Sequence, residues 1–270
     1  MKKICFVGGG NMAGAMLAGL RKKHPTLDCH IIEPFAEARD KFAALNVSLY
    51  PATVRAAVAG ADAVVLAVKP QVLRQVCGEL LPCLDGQLIV SIAAGVRIGT
   101  IARWLGGHAR IVRTMPNTPA LIDQGVTGVY APATLAATDL ATATKLMQST
   151  GAVIRVEHED MIDAVTAVSG SGPAYVFHWI ESMLASAEDA GFNAADARTL
   201  VLGTLKGATA LAEASDVSPG VLRERVTSKG GTTAAALAVL NERDVAGAIL
   251  AAVRAAKNRG AELGDLLDRE

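Results

Sequence analysis

A doubly wound, mostly parallel α/β sheet domain over residues 1–158, followed by an all-α dimerisation domain over 159–270, is the architecture this sequence predicts. Three observations predict it. Short β-rich apolar runs alternate with helical stretches in the first part, the pattern of a parallel sheet covered by helices. Beyond about residue 160 the strand-like runs stop and alanine-rich segments with helical spacing replace them. The composition, 51% hydrophobic and 19% charged over 270 residues, belongs to a globular chain long enough to bury a large core.

Taken in order, Ile4 to Val7 reads as a strand, Met12 to Lys22 as a helix, Cys29 to Ile32 as a strand and Ala36 to Leu45 as a helix. The alternation continues with a strand at Ala63 to Val68, a helix at Gln71 to Leu81, a strand at Leu88 to Ile92, a helix at Ile98 to Leu105 and a strand at Arg110 to Thr114. Strands at Val126 to Tyr130 and Ala152 to Val156 flank a helix from Ala136 to Ser149. In the second half Val176, Phe177, Ile180, Met183, Leu184 and Ala187 recur at helical spacing. Breaks at Ala190-Gly191-Phe192, Ser215 to Gly220, Lys229-Gly230-Gly231 and Asn241 to Asp244 divide it into roughly four or five helices. With only 4% aromatic residues such a helical domain has little area to bury alone, so the reading is that a second copy completes it as a homodimer.

Charge and cysteine usage set the remaining bounds. Lys plus Arg and Asp plus Glu number 26 each, so no net field gathers a polyanion, and neither nucleic acid nor an anionic membrane is expected as a partner. The apolar stretches, such as Val245 to Val253, are shorter than the roughly 18 residues of a membrane span. Lys2 and Lys3 before Ile4 to Val7 resemble the start of a leader peptide, but Gly8-Gly9-Gly10 ends the run, so none is expected. Cys5, Cys29, Cys77 and Cys83 form no CxxC pair and no zinc spacing, which predicts free buried thiols in the cytoplasm and no metal.

The chemistry is carried by turns at strand ends. Gly8-Gly9-Gly10-Asn11-Met12-Ala13 follows a strand and opens a helix, which is where a GxGxxG/A pattern is informative. Gly8 allows the tight turn, Gly10 lets the main chain approach a pyrophosphate, small Ala13 allows close helix packing, and the N–H groups of Asn11 and Met12 face the anion. Glu33 ends the second strand, where an acid can bind a ribose 2′-hydroxyl and, taken alone, favours NAD over NADP; Arg39, the nearest cation, lies farther along. Ala67-Val68-Lys69-Pro70 and Ala93, in Ser91-Ile92-Ala93-Ala94-Gly95, close the next two strands on the ligand side of such a sheet. Asn117, between two prolines, either walls the substrate or ties its own turn. Ser169-Gly170-Ser171-Gly172-Pro173 interrupts a helix from Met161 to Asp189, through close approach of a ligand or a bend at a helix crossing. His178 and the other histidines read as surface or structural groups. Ser228, Gly230, Gly231, Thr232 and Thr233 precede a helical run; they make either an anion nest suited to a small carboxylate or an ordinary pair of helix caps.

Together the segments GGGNMA, AVKP, SIAAGV, RTMPNTPA, AVSGSGPAY and PGVLRERVTSKGGTTAAALAVLN resemble the pyrroline-5-carboxylate reductase family along the whole chain. The resemblance implies an N-terminal Rossmann domain, a helical domain that pairs with a second subunit, and NAD(P)H-dependent reduction of the C=N bond of 1-pyrroline-5-carboxylate to L-proline. It implies that the substrate carboxylate lies on N–H groups of Gly230, Gly231 and Thr232, that Thr233 bonds the ring nitrogen, and that Asp216 is a weaker candidate for assisting. It also leaves room for dimers to be joined into larger rings. Members preferring NADPH often carry Asn-Arg-Ser-like residues where this chain has Glu33-Pro34-Phe35, so the expectation is NADP(H) with NAD(H) also used.

Two rival classes differ at identifiable residues. A β-hydroxyacid dehydrogenase, with a similar domain pair, would place a catalytic lysine where this chain has Val176, and alcohol oxidation needs that acid/base group. A nucleotide-binding protein without turnover would need GGGNMA but not the Gly230 to Thr233 turn.

Overall fold

The computed structural model describes residues 1–269, which divide into two compact units, 1–173 with 255–269, and 174–254. The first is built on eight strands: β1 (Lys3–Val7), β2 (Asp28–Ile32), β3 (Ser48–Tyr50), β4 (Ala63–Leu66), β5 (Leu88–Ser91), β6 (Ile111–Met115), β7 (Gly125–Tyr130) and β8 (Gly151–Arg155). They form one sheet in the order β3-β2-β1-β4-β5-β6-β7-β8, parallel except where β7 runs against β6. The chain winds one way from β1 to β3 and the other way from β4 onward, so a crevice opens between the carboxyl ends of β1 and β4. This is the predicted doubly wound sheet.

Helices α1 (Asn11–Lys23), α2 (Ala36–Asp40), α3 (Arg55–Val58), α4 (Pro70–Leu80), α5 (Ile98–Trp104) and α6 (Ala137–Met147) cross over between strands. Two apolar layers, one on each face, account for the nearly unbroken Val/Ile/Leu runs of the central strands. One includes Phe6, Met16, Leu20, Val90 and Leu146; the other includes Val7, Leu66, Leu73, Ile89 and Ile101. Cys5 and Cys77 lie within the second layer, and burial pushes both thiols up to about 12. All four cysteines are free and buried.

Three elements differ from the sequence reading, one of them being α3, a four-residue helical turn at Arg55–Val58 for which no helix is expected. The helix expected over 36–45 breaks after Asp40 into a single 3-10 turn at Ala43–Leu45, because Phe42 turns inward beneath Gly9 and the chain then reverses through Asn46 at φ 51°. The chain next enters β3, a three-residue strand with no buried residue and too short to show period-two alternation.

The interrupted helix at 161–189 resolves into α7 (Met161–Val165), a π-helical turn at Thr166–Gly170 and α8 (Gly172–Asp189). The second unit comprises the remainder of α8 with α9 (Ala194–Glu213), α10 (Pro219–Arg225), α11 (Thr232–Glu242) and the first part of α12 (Val245–Asp268). Ala197 and Val201 are buried on α9, whereas Val176, Phe177, Trp179, Leu211, Ile249 and Leu250 are exposed. The last turns of α12 belong to the first unit: Gly264 abuts the Gly95 carbonyl, and Arg97 pairs with Asp265 at 2.6 Å and Asp268 at 2.5 Å. Hydrogen bonding to Asp265 raises the basicity of Arg97 despite some desolvation. Among the described residues no helix is long and apolar enough to cross a membrane.

Candidate active site

The crevice between β1 and β4 is shaped by glycine. Gly8 adopts φ 105°, its N–H donates to the Ile32 carbonyl at 2.8 Å, and a Cβ there would lie 2.5 Å from the Ala67 oxygen. The backbone after β1 therefore lies against the Ala67-Val68 turn after β4, so no larger residue can replace Gly8 without displacing one of the two. Gly10 is exposed, with no atom within 4 Å of where its Cβ would be. It is the N-cap of α1, with no side-chain cap and no acid in the first turn. The first helical bond runs from Gly14 N–H to the Gly10 carbonyl, so the donors of Asn11 and Met12 face the open side. Basic Arg21, Lys22 and Lys23 occupy the last turn and match the dipole there, while the positive N-terminal end has no acid of its own and stays open to an anion. This cradle fits a pyrophosphate: donors converge on it and no side chain fills it.

The neighbouring strand ends extend the wall. Val68 is half-buried, Lys69 is exposed as the N-cap of α4, and Pro70 starts that helix. Ser91 and Ala93 are buried, the Ala93 N–H donating to Ser91 Oγ at 3.3 Å, and the Ser91 carbonyl accepting from Thr114 Oγ1 at 3.0 Å. Ser91 and Ala93 are both small, so neither projects a bulky side chain from the end of β5.

Asn117 is buried, and its carboxamide is engaged at both ends: Oδ1 accepts the Val126 N–H at 2.8 Å and Nδ2 donates to the Ser169 carbonyl at 3.1 Å. Of its two readings the geometry favours the one in which it ties its own turn, here to the π-helical segment as well. Within that segment the Ser171 N–H reaches the Thr166 carbonyl at 2.7 Å, and Gly170 leaves room for the Met115 methyl, which would lie 2.6 Å from a Cβ. Sequence reasoning missed the anchor beneath: Arg113 is fully buried and pairs with Asp163 at 2.7 Å and Glu159 at 3.4 Å. Its only signal was an arginine inside an apolar strand.

In the second unit, Ser228 to Thr233 forms the turn into α11. Gly230 has φ 72°, the Gly231 N–H bonds the Ser228 carbonyl at 3.1 Å, and Gly231 is an N-cap with no side-chain cap. Ser228 Oγ leans over Gly231, where a Cβ would be only 2.4 Å away. The first helical bond, Ala235 N–H to Gly231 carbonyl, leaves the donors of Thr232 and Thr233 outside the ladder, and no acid lies in the first turn. Thr232 is exposed and Thr233 half-buried. Val176, where a dehydrogenase of the rival class would need lysine, is an exposed apolar residue, and the His178 side chain is 85% exposed beside Glu181. Among the described residues no group of His, Cys, Asp and Glu could hold a metal ion.

A doubly wound sheet with a glycine-lined phosphate cradle, joined to a helical unit with an anion-ready turn, defines an NAD(P)H-dependent oxidoreductase. Residues 3–95 match the family model for NADP oxidoreductase, coenzyme F420-dependent, and residues 159–263 match that for pyrroline-5-carboxylate reductase dimerisation. The pyrroline-5-carboxylate reductase of Pseudomonas aeruginosa is 42% identical over 267 residues, covering 98% of each chain, and that of Escherichia coli is 38% identical, covering 93% of this chain and 94% of the other. Among solved structures, a pyrroline-5-carboxylate reductase from Coxiella burnetii superposes with a TM-score of 0.89 at 37% identity, covering 96% of this chain and 97% of that one. The Plasmodium falciparum enzyme with NADP bound gives a TM-score of 0.87 at 28% identity, covering 97% and 98%. The chain belongs to the pyrroline-5-carboxylate reductase family.

Proposed function

We infer that this protein reduces 1-pyrroline-5-carboxylate to L-proline, the last step of proline biosynthesis, with NADPH as hydride donor and NADH also accepted. The observation that carries the substrate assignment is the start of α11, where main-chain donors stand free of any side-chain cap or acid. A helix N-terminus of this kind favours a carboxylate by dipole and hydrogen bonding together. Gly230 and Thr232 supply free N–H groups, Gly231, whose own N–H bonds the Ser228 carbonyl, shapes the turn between them, and Ser228 borders them.

When bound, the reduced nicotinamide supplies a hydride to the C=N carbon. Gly8, Gly10, Asn11 and Met12 hold its pyrophosphate, and Ala67, Val68, Lys69, Pro70 and Ala93 line the remainder of the cofactor site. Thr233 hydrogen-bonds the ring nitrogen and fixes the face presented to the donor. No strong acid is required, since a cyclic imine is basic enough to be partly protonated near neutral pH, and alignment then dominates the rate. A threonine hydroxyl, at its own pKa, orients and relays but does not act as an efficient general acid. Asn117 contributes by holding the loop after β6.

Functionally, residues 1–158 serve the nucleotide and 159–270 serve substrate binding and pairing with a second copy; the exposed apolar residues of α8, α9 and α12 support that pairing. The free buried thiols fit a cytoplasmic location. The test is loss of reduced-nicotinamide absorbance on adding 1-pyrroline-5-carboxylate, with proline counted as product. Turnover with NADPH is expected, and Thr233→Ala should lower kcat by about tenfold or more while Thr233→Ser retains most of it. A folded, nucleotide-binding sample that forms no proline overturns the assignment.

A further inference from the structure

The end of β2 holds its charged groups in an unexpected way. Glu33 is 8% exposed, and both carboxylate oxygens are taken by the main chain: Oε2 accepts the Gly9 N–H at 2.8 Å and Oε1 accepts the Phe35 N–H at 2.9 Å. Its Cγ lies 3.1 Å from where a Gly9 Cβ would be, so the side chain is a strut pressed against the glycine turn. Arg39, on α2, folds back toward the strand end, and its Nη1 donates to the carbonyls of Glu33 and Pro34, each at 2.7 Å. Among the described residues its Nε and Nη2 have no partner, and no carboxylate comes within ion-pair distance. Arg55, Arg97, Arg110 and Arg113 each meet an acid. Arg39 is thus fixed by neutral acceptors that leave its charge uncancelled.

The tip of β2 is where a doubly wound nucleotide domain meets the 2′ position of the adenosine ribose. We propose that Arg39 selects the nucleotide by taking the 2′-phosphate of NADPH, and that Glu33 is a positioning residue that does not discriminate between the two cofactors. The assignment rests on the nucleotide-site reading of the crevice. Two features make Arg39 suited to the role. A guanidinium offers paired donors that match phosphate oxygens, and its anchored Nη1 lowers the side-chain entropy lost on binding. Glu33, by contrast, has each carboxylate oxygen held by an N–H donor of the protein, which draws the group into the glycine turn and weakens the ordinary reason for an acid at this position to prefer NADH.

The experiment is calorimetric binding of NADPH, NADH, 2′,5′-ADP and 5′-AMP to the full chain and to Arg39→Ala, Arg39→Gln and Glu33→Gln. Arg39→Gln retains an N–H donor for the strand-end carbonyls while losing the charge, so it separates loop anchoring from phosphate recognition. Both Arg39 variants should weaken NADPH and 2′,5′-ADP by about tenfold or more, about 1.4 kcal/mol, while NADH and 5′-AMP change less than about twofold. The steeper salt dependence of NADPH binding should also disappear with them. Glu33→Gln should move NADPH and NADH in parallel. Equal weakening of both nucleotides by Arg39→Gln, or a Glu33→Gln variant that gains NADPH while losing NADH, overturns the proposal. Failure of the underlying reading has a different signature, in that the unmodified protein binds none of the four ligands, and the proposal falls with it.

Discussion

Gly8 shows how one residue couples chemistry to conformation. Its φ of 105° is strained for any side chain, and the Ala67 oxygen blocks the space a methyl group would need. Gly8→Ala is expected to cost about 1–3 kcal/mol in urea unfolding and to weaken both nicotinamide nucleotides together, because the turn it distorts carries the phosphate donors. An unfolding midpoint unchanged from the parent protein contradicts this. Such positions are legible in sequence because the backbone itself demands the residue. That holds also for Gly230, at φ 72°, before Thr232 and Thr233. Where a side chain points is not legible. Glu33 falls at the end of β2 as expected, but nothing local announces that it turns toward Gly9, and Arg39 reads as lying farther along because the return of its side chain to the Glu33 and Pro34 carbonyls leaves no mark in the residue pattern.

At the level of elements, the loop after β6 and the π-helical turn are held by partners far apart in sequence. Arg113, Glu159 and Asp163 tie β6 to the start of the helical region, and Asn117 ties the following loop to Ser169. Removing one member of a buried ion pair leaves the other charged and unpaired. Arg113→Met is therefore expected to lose about 3–5 kcal/mol of stability, read from the urea midpoint, and a double variant that also carries Asp163→Leu should recover part of the loss. If the double variant is no more stable than the single one, the buried pair is not the cause. Most of these elements are legible within a few residues, since hydrophobic period and glycine or proline punctuation are local. The exceptions are β3, whose three residues carry no pattern, α3, whose single turn is too short for helical periodicity, and the break in α2, where Phe42 reads as helix-compatible until its burial beneath Gly9 is known.

For the whole molecule, the sparse core of the second unit is the dominant feature. Exposed Phe177, Trp179, Ile249 and Leu250 are large apolar groups that a stable lone chain would bury. Sedimentation equilibrium is expected to give at least twice the 27.8 kDa chain mass, and Trp179→Glu combined with Ile249→Glu should raise the dissociation constant by roughly a hundredfold or more. A monomer at micromolar concentration in the unaltered protein runs against it. This feature is legible as an area argument: few aromatics and many alanines cannot close a core of that size. The pairing of Arg97 with Asp268, separated by 171 residues, is not, because no local pattern links the end of α12 to the turn after β5. That pairing also sets an order in time. A ribosome adding about 5–20 residues per second makes the first unit's sheet wait on the order of 10–30 s for the segment that covers Gly95 and Arg97. During that interval the nascent sheet presents an unfinished patch at Gly95 and Arg97, which closes only once the last turns of α12 have been made.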